Sequence, residues 1–159
     1  MLLASAAYAV AIFAGAEDEA SVENRVVIDR PPEVVFDYVS DMRHGLEWNP
    51  DVESMVKVTD GPPGLGTRFA AKWKQSENVI VECTRFDRPR AFTAENGGAL
   101  GVTVAVKLEP RGSGTLLVSR FTARPHGFFK VIFPIFKLMM GKFEKANMGY
   151  LKKGVESHQ

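Results

Sequence analysis

Hydrophobic and polar positions follow two different periods along this chain, and the switch falls near Pro125. Val26, Val27 and Ile28 are β-branched and read as a strand. Pro31 and Pro32 end it, because neither can donate to a ladder and Arg30 is pushed to an extended shape. Pro32 suits the first helical position, where a missing N–H costs nothing. The short helix predicted next carries Val35, Phe36, Val39 and Met42 on one side and Glu33, Asp37 and Asp41 on the other. It is too short to be stable alone, so it must lie on a sheet.

From about residue 51 to 124 strand follows turn repeatedly. Val52 to Thr59 is a strand candidate closed by Asp60-Gly61-Pro62-Pro63-Gly64-Leu65-Gly66. In Thr67 to Lys74, Phe69, Ala71 and Trp73 share one face, with Arg68, Ala70, Lys72 and Lys74 on the other. Val79 to Phe86 ends at the turn Asp87-Arg88-Pro89-Arg90, and Phe92 to Glu95 is a short strand broken by Asn96-Gly97-Gly98. Val102, Val104, Val106 and Leu108 alternate with Thr103, Ala105, Lys107 and Glu109. Arg111-Gly112-Ser113-Gly114 is a tight hairpin, after which Leu116 to Ala123 returns. Strands joined by short turns, with no helix between them, are antiparallel neighbours, and the first strand brings the total to seven.

After Pro125 the strand period is gone. From Gly127 to about Val155 apolar residues recur at helical spacing as Phe128, Ile132, Ile135, Met139 and Phe143. Phe129, Phe133, Phe136 and Met140 widen that stripe until the first half is apolar nearly all round, and Pro134 within it predicts a kink. The second half, with Lys142, Glu144, Lys145, Lys152 and Lys153, is conventionally amphipathic. A long C-terminal helix on a curved antiparallel sheet is an α+β architecture with one core.

The order of these elements, with certain local motifs, resembles the helix-grip superfamily of START-like, or SRPBCC, proteins, and most closely its polyketide cyclase/dehydrase-like (lipid transport) members. The matching residues are Ile28, Pro31, Pro32, Val35, Phe36 and Asp41, then Trp48 and Pro50. They continue with Gly64-Leu65-Gly66-Thr67-Arg68-Phe69 and with Phe86-Asp87-Arg88-Pro89-Arg90-Ala91-Phe92. The likeness spans roughly residues 22 to 156 and rests on the order and spacing of motifs, none of which is specific alone. It implies a curved sheet of about seven strands, with two short helices after the first, wrapped around the long C-terminal helix. It also implies that helix and concave sheet leave an apolar cavity, with Trp48 beside its entrance.

A chain of 159 residues is one ordinary domain, able to bury about two-thirds of its extended surface. Residues 21–159 read as that domain. The 45% apolar and 25% charged shares are those of a folded globule. With net charge +1 and lysines and arginines scattered among acids, no basic stripe exists for nucleic acid.

Residues 1 to about 20 read as an extension outside that domain. Leu2 to Phe13 is apolar but shorter than the roughly 20 residues a bilayer span needs. Ala14-Gly15-Ala16 resembles a signal-peptidase site, yet the first basic residue is Arg25. The reading is a cytoplasmic protein, with export the alternative if residues 1–16 are a signal peptide. The sole cysteine, Cys83, excludes an intradomain disulfide and reads as a small buried hydrophobe.

Motifs for catalysis are scarce. His44, His126 and His158 lie too far apart for metal-ligand spacing, and no cofactor motif is present. His44 reads as a solvated loop residue, and for His126, beside Gly127, a place at a cavity mouth is only the lesser alternative. Arg111-Gly112-Ser113-Gly114-Thr115 lacks the nucleophile-elbow spacing, and Gly97-Gly98-Ala99-Leu100-Gly101 opens no helix after a parallel strand. Polar candidates for the inner sheet face are Glu82, Glu95, Ser119 and Arg120. Either Phe86 faces inward with Ile80, Glu82 and Thr84, or Val79, Val81 and Cys83 do, leaving Glu82 as a solvated charge. Leu117, Ser119 and Phe121 make an acceptable inner face, with Arg120 outside.

The sequence therefore points to binding of a hydrophobic small molecule such as a lipid, polyketide or aromatic metabolite. The lining expected is Trp48, Phe69, Ala71, Trp73, Phe92, Val104, Phe121, Ile132, Phe136, Met140 and Phe143. Methionines suit a wall that adapts to its ligand. A cyclase or dehydratase using the same cavity is the alternative, and it requires Glu82, Glu95 or His126 inside. A third reading is a membrane-surface protein, because Lys130, Lys137, Lys142 and Lys145 flank the apolar helix; the simpler account makes them its solvated edge.

Overall fold

Ile28 and Gly114 meet where the first strand of the sheet ends beside the start of the last. A Cβ on Gly114 would stand 2.5 Å from the Ile28 carbonyl oxygen, so only glycine lets the Arg111–Gly114 hairpin approach the end of the first strand so closely. A computed structural model describes residues 19–158 apart from Gln75; the apolar run and signal-like segment read from the sequence lie outside the described residues.

The strands are β1 (Ala20–Ile28), β2 (Val52–Lys57), β3 (Arg68–Trp73), β4 (Val79–Asp87), β5 (Ala91–Asn96), β6 (Val102–Arg111) and β7 (Gly114–Ala123). They form one antiparallel sheet in the order β1-β7-β6-β5-β4-β3-β2. Helix α1 (Pro32–Ser40), a 3-10 turn (Met42–His44) and the short α2 (Gly45–Trp48) follow β1, and α3 (Phe129–Ser157) ends the fold. This is the helix-grip α+β arrangement.

Local chemistry sets each boundary. Pro31 caps α1 and Pro32 starts it; Asp41 ends it and accepts the Arg43 amide at 3.2 Å. β1 begins well before the β-branched Val26 and includes the buried Ala20. Its partner is the full length of β7, from Ala20 opposite Ala123 to Ile28 opposite Thr115. α3 runs unbroken through Pro134.

The apolar contacts separate into two clusters. The larger holds Ile28, Val35, Phe36, Met55, Phe69, Val81, Phe92, Leu108, Leu117, Met148, Leu151 and Val155 among its members. Phe36 is fully buried, with Phe86 edge-on at 5.0 Å and Phe92 at 6.1 Å. The smaller joins Ala20 and Ala123 to Phe133 and Met140, with Val22, Leu100, Phe121 and Phe136 packed against it.

Polar ties then fix the last turns of α3 to β1. The Asp29 amide donates to Glu156 at 2.8 Å, Lys152 donates to the Val27 carbonyl at 2.7 Å, and the Arg30 guanidinium donates to the Glu156 carbonyl.

Candidate ligand site

The inner face of β1 reads Val22, Asn24, Val26, and its partners on β7 are Phe121, Ser119 and Leu117. Val22 and Phe121 belong to the smaller apolar cluster, Val26 and Leu117 to the larger. Asn24 and Ser119 therefore form a polar rung between the two. α3 repeats the pattern from the other side. Met140 packs in the smaller cluster and Met148 in the larger, and Glu144 lies between them at one-turn spacing.

Burial holds the Glu144 carboxyl above the ordinary carboxylate range, against the opposing effect of a hydrogen bond from Asn147 at 3.3 Å. Val104, Phe121 and Phe136 face this seam and stay only half-buried. The seam thus has mostly apolar walls and one carboxyl whose pKa burial raises.

The residues expected to line a cavity divide into four groups. Phe69, Ala71 and Phe92 are closed into the larger cluster, where Ala71 faces Met55 across β2–β3. Trp48, Trp73 and Val104 are half-buried against that cluster. Trp48 packs on the last turns of α3: a Cβ on Gly154 would come within 2.8 Å of the Trp48 Cβ. Phe121, Phe136 and Met140 lie in the smaller cluster, beside the seam.

Ile132 and Phe143 are not closed into either cluster, being 40% and 50% exposed. The whole stripe Phe128, Ile132, Ile135, Met139 and Phe143 is exposed. The physical reason is that the first half of α3 is apolar all round, so periodicity there cannot mark an inner face.

In β4 the parity with Val81 and Cys83 inward holds as far as Cys83, and Ile80, Glu82 and Thr84 stay outside. A β-bulge between Cys83 and Arg85 turns Val81, Cys83 and Phe86 all inward. Glu82 is outside, paired with Arg68 at 2.7 Å, and Glu95 is outside beside it, accepting from Thr84 at 3.2 Å. Arg120 is also outside, on Glu23 at 3.0 Å. His126 is exposed. Burial raises the Cys83 thiol pKa, in keeping with an inert buried thiol. An open depression on the outer sheet face is lined by Arg85, Asp87, Arg90 and Lys107, with Asp87 paired to both arginines.

A half-barrel sheet gripping a long helix, with a mostly apolar seam between them, defines the helix-grip class. Residues 19–156 match the family model described as polyketide cyclase / dehydrase and lipid transport, and the chain belongs to that family. No curated protein matches it. Among solved structures it is similar to TTHA0849 from Thermus thermophilus, at 19% identity and a TM-score of 0.71, covering 86% of this chain and 97% of that one. It is similar to Ara h 8.0201 at 17% identity and a TM-score of 0.63, covering 88% and 99%. It is also similar to the di-domain ARO/CYC BexL from the BE-7585A biosynthetic pathway, at 18% identity and a TM-score of 0.69. That match covers 94% of this chain and 54% of the di-domain chain.

Proposed function

We propose that this protein binds a hydrophobic small molecule, a lipid, polyketide or aromatic metabolite, in the seam between the sheet and α3. The observation that carries this reading is Glu144, held on the inward line of α3 between two apolar clusters. Burial of ligand carbon supplies affinity at roughly 25 cal/mol per Å² before the costs of association. The Glu144 carboxyl lies within the seam to hydrogen-bond a polar group of the ligand, which fixes orientation. The family description, with its lipid transport and polyketide chemistry, supports the ligand class. A cyclase or dehydratase would use Glu144 as its acid; Glu82, Glu95 and His126 lie outside the seam, which favours binding over turnover.

The test is mass spectrometry of an organic extract of the purified protein, with a fluorescent hydrophobic probe, anilinonaphthalene sulfonate, titrated in parallel. A co-purified apolar compound is expected, together with probe binding that Val104→Trp weakens at least about tenfold. Absence of both a compound and probe binding overturns the reading, as does a folded Val104→Trp that binds as the parent does.

A second reading rests on the outer side of α3, where Phe128, Ile135 and Leu138 are 74%, 65% and 85% exposed. No acidic residue occurs from Arg124 to Phe143, while Lys130, Lys137 and Lys142 do. An exposed apolar helix face suits a bilayer surface, and this face is proposed to rest on one. Among the described residues no helix is long and apolar enough to cross a membrane. Co-sedimentation with vesicles of mixed zwitterionic and anionic lipid is expected, and Ile135→Glu with Leu138→Glu should abolish it. Equal sedimentation of that double variant rejects the surface.

A further inference from the structure

Two histidines that the sequence places far apart meet at the end of α3. His44 sits in the 3-10 turn, Glu47 in α2 and His158 at the C-cap of α3. One ligand atom from each lies within 4.8 Å of the others. We infer that His44, Glu47 and His158 form a divalent transition-metal site of the zinc type that clamps the C-terminal end of α3 to the segment after α1.

Three details of the geometry fit this inference. The His44 Nδ1 lies 2.8 Å from the Tyr38 carbonyl oxygen. A carbonyl only accepts, so Nδ1 carries the proton and the Nε2 lone pair is left for a metal. Such a bond from the non-ligating nitrogen is what orients metal-bound imidazoles in general. The ring is held further by stacking on Tyr38, with centroids 4.4 Å apart and planes 4° from parallel.

Glu47 is also braced. The Tyr38 hydroxyl donates to its Oε2 at 3.0 Å, leaving Oε1 open. The His158 Nδ1 stands 3.4 Å from the same Oε2, and its ring lies 4.9 Å from both Tyr38 and His44. Two imidazoles and a carboxylate suit zinc, with bonds of about 2.0–2.2 Å and water in the fourth position. That geometry needs ligand atoms roughly 3.4 Å apart, so turning the partly exposed His158 and Glu47 side chains closes the site. The clamp lies on the rim of the fold, away from the seam, so its role is to hold α3 in place.

The experiment is calorimetric titration of the full chain with zinc ion, repeated with cobalt ion and visible absorption to report coordination. One equivalent is expected to bind, with at least about a tenfold loss in His158→Ala and in His44→Ala. His158→Ala changes a partly exposed group and should leave the fold intact. His126→Ala, outside the cluster, is expected to bind as the parent does. Zinc should also slow amide exchange in the last turn of α3 in the parent and not in His158→Ala. No binding by the parent, or equal binding by His158→Ala and the parent, overturns the site.

Discussion

Glu144 accepts a hydrogen bond from Nδ2 of Asn147, one turn further along the same inward face of α3. Because burial raises its pKa above the ordinary 4.5, the native state holds the proton more tightly than the unfolded chain does. The resulting stabilisation is complete below about pH 4.5 and is lost as pH rises through the raised folded value. Glu144→Gln removes the titration. Urea denaturation at pH 4.5 and pH 8 should show the variant gaining on the parent at the higher pH; an offset equal at both pH values refutes the buried acid.

Phe36 tests the larger cluster. It is fully buried between Phe86 and Phe92 edges, and Phe36→Ala should cost about 3–5 kcal/mol, read from denaturant midpoints. A cost below about 1 kcal/mol would mean that α1 is not held by this aromatic packing.

Gly154 sets two effects against each other. Alanine is the better helix former by about 1 kcal/mol, but its Cβ would stand 2.8 Å from both the Trp48 Cβ and the Tyr38 hydroxyl. Overpacking of this kind costs about 1–3 kcal/mol, and the Trp48 Cβ cannot swing aside as a side-chain tip would. Gly154→Ala is therefore expected to lower the thermal midpoint. A higher midpoint would show that α2 yields easily to α3.

Asp37 and Arg88 join α1 to the β4–β5 turn through two bonds of 2.6 and 2.8 Å. The Arg88 hydrogen bond holds the Asp37 carboxyl below its ordinary 3.8. The contribution is present above that pH and disappears as pH falls through the lowered value. Both groups are about half exposed, so Asp37→Asn should cost less than about 1 kcal/mol at pH 7, and less still in 1 M salt. A larger loss that salt leaves unchanged would mean that packing, and not charge, is disturbed.

These sites differ in how plainly the sequence announced them. The strands were legible because one face is buried and the other solvated, so Phe69, Ala71 and Leu117 could be assigned by alternation alone. In β4 the bulge after Cys83 breaks that alternation, which is why two parities competed for Phe86 and Val81. Tyr38, buried and hydrogen-bonded to Glu47, departed from the simple two-sided pattern of α1.

In α3 the legible half was the second. Counting back by three or four residues from the buried Val155 through Leu151 and Met148 reaches Glu144, Met140, Phe136 and Phe133. That line was hidden because the apolar residues of the first half surround the helix. The charged neighbours of Glu144 made it look like part of the solvated face. The His44–Glu47–His158 cluster left no local trace, since only the closing of α3 onto α2 brings it together.

The pairing of β1 with β7 also bears on how the chain is made. Ser21 and Thr122 share a hydrogen bond of 2.6 Å across 101 positions of sequence. At a synthesis rate of roughly 5–20 residues per second, β1 waits on the order of 5–20 s on the ribosome before its partner emerges. For that interval a nine-residue strand has both edges open and an apolar side uncovered. Its neighbour is the last strand made, so the sheet must be completed from the other end, and cellular yield will depend on whatever shields β1 during synthesis.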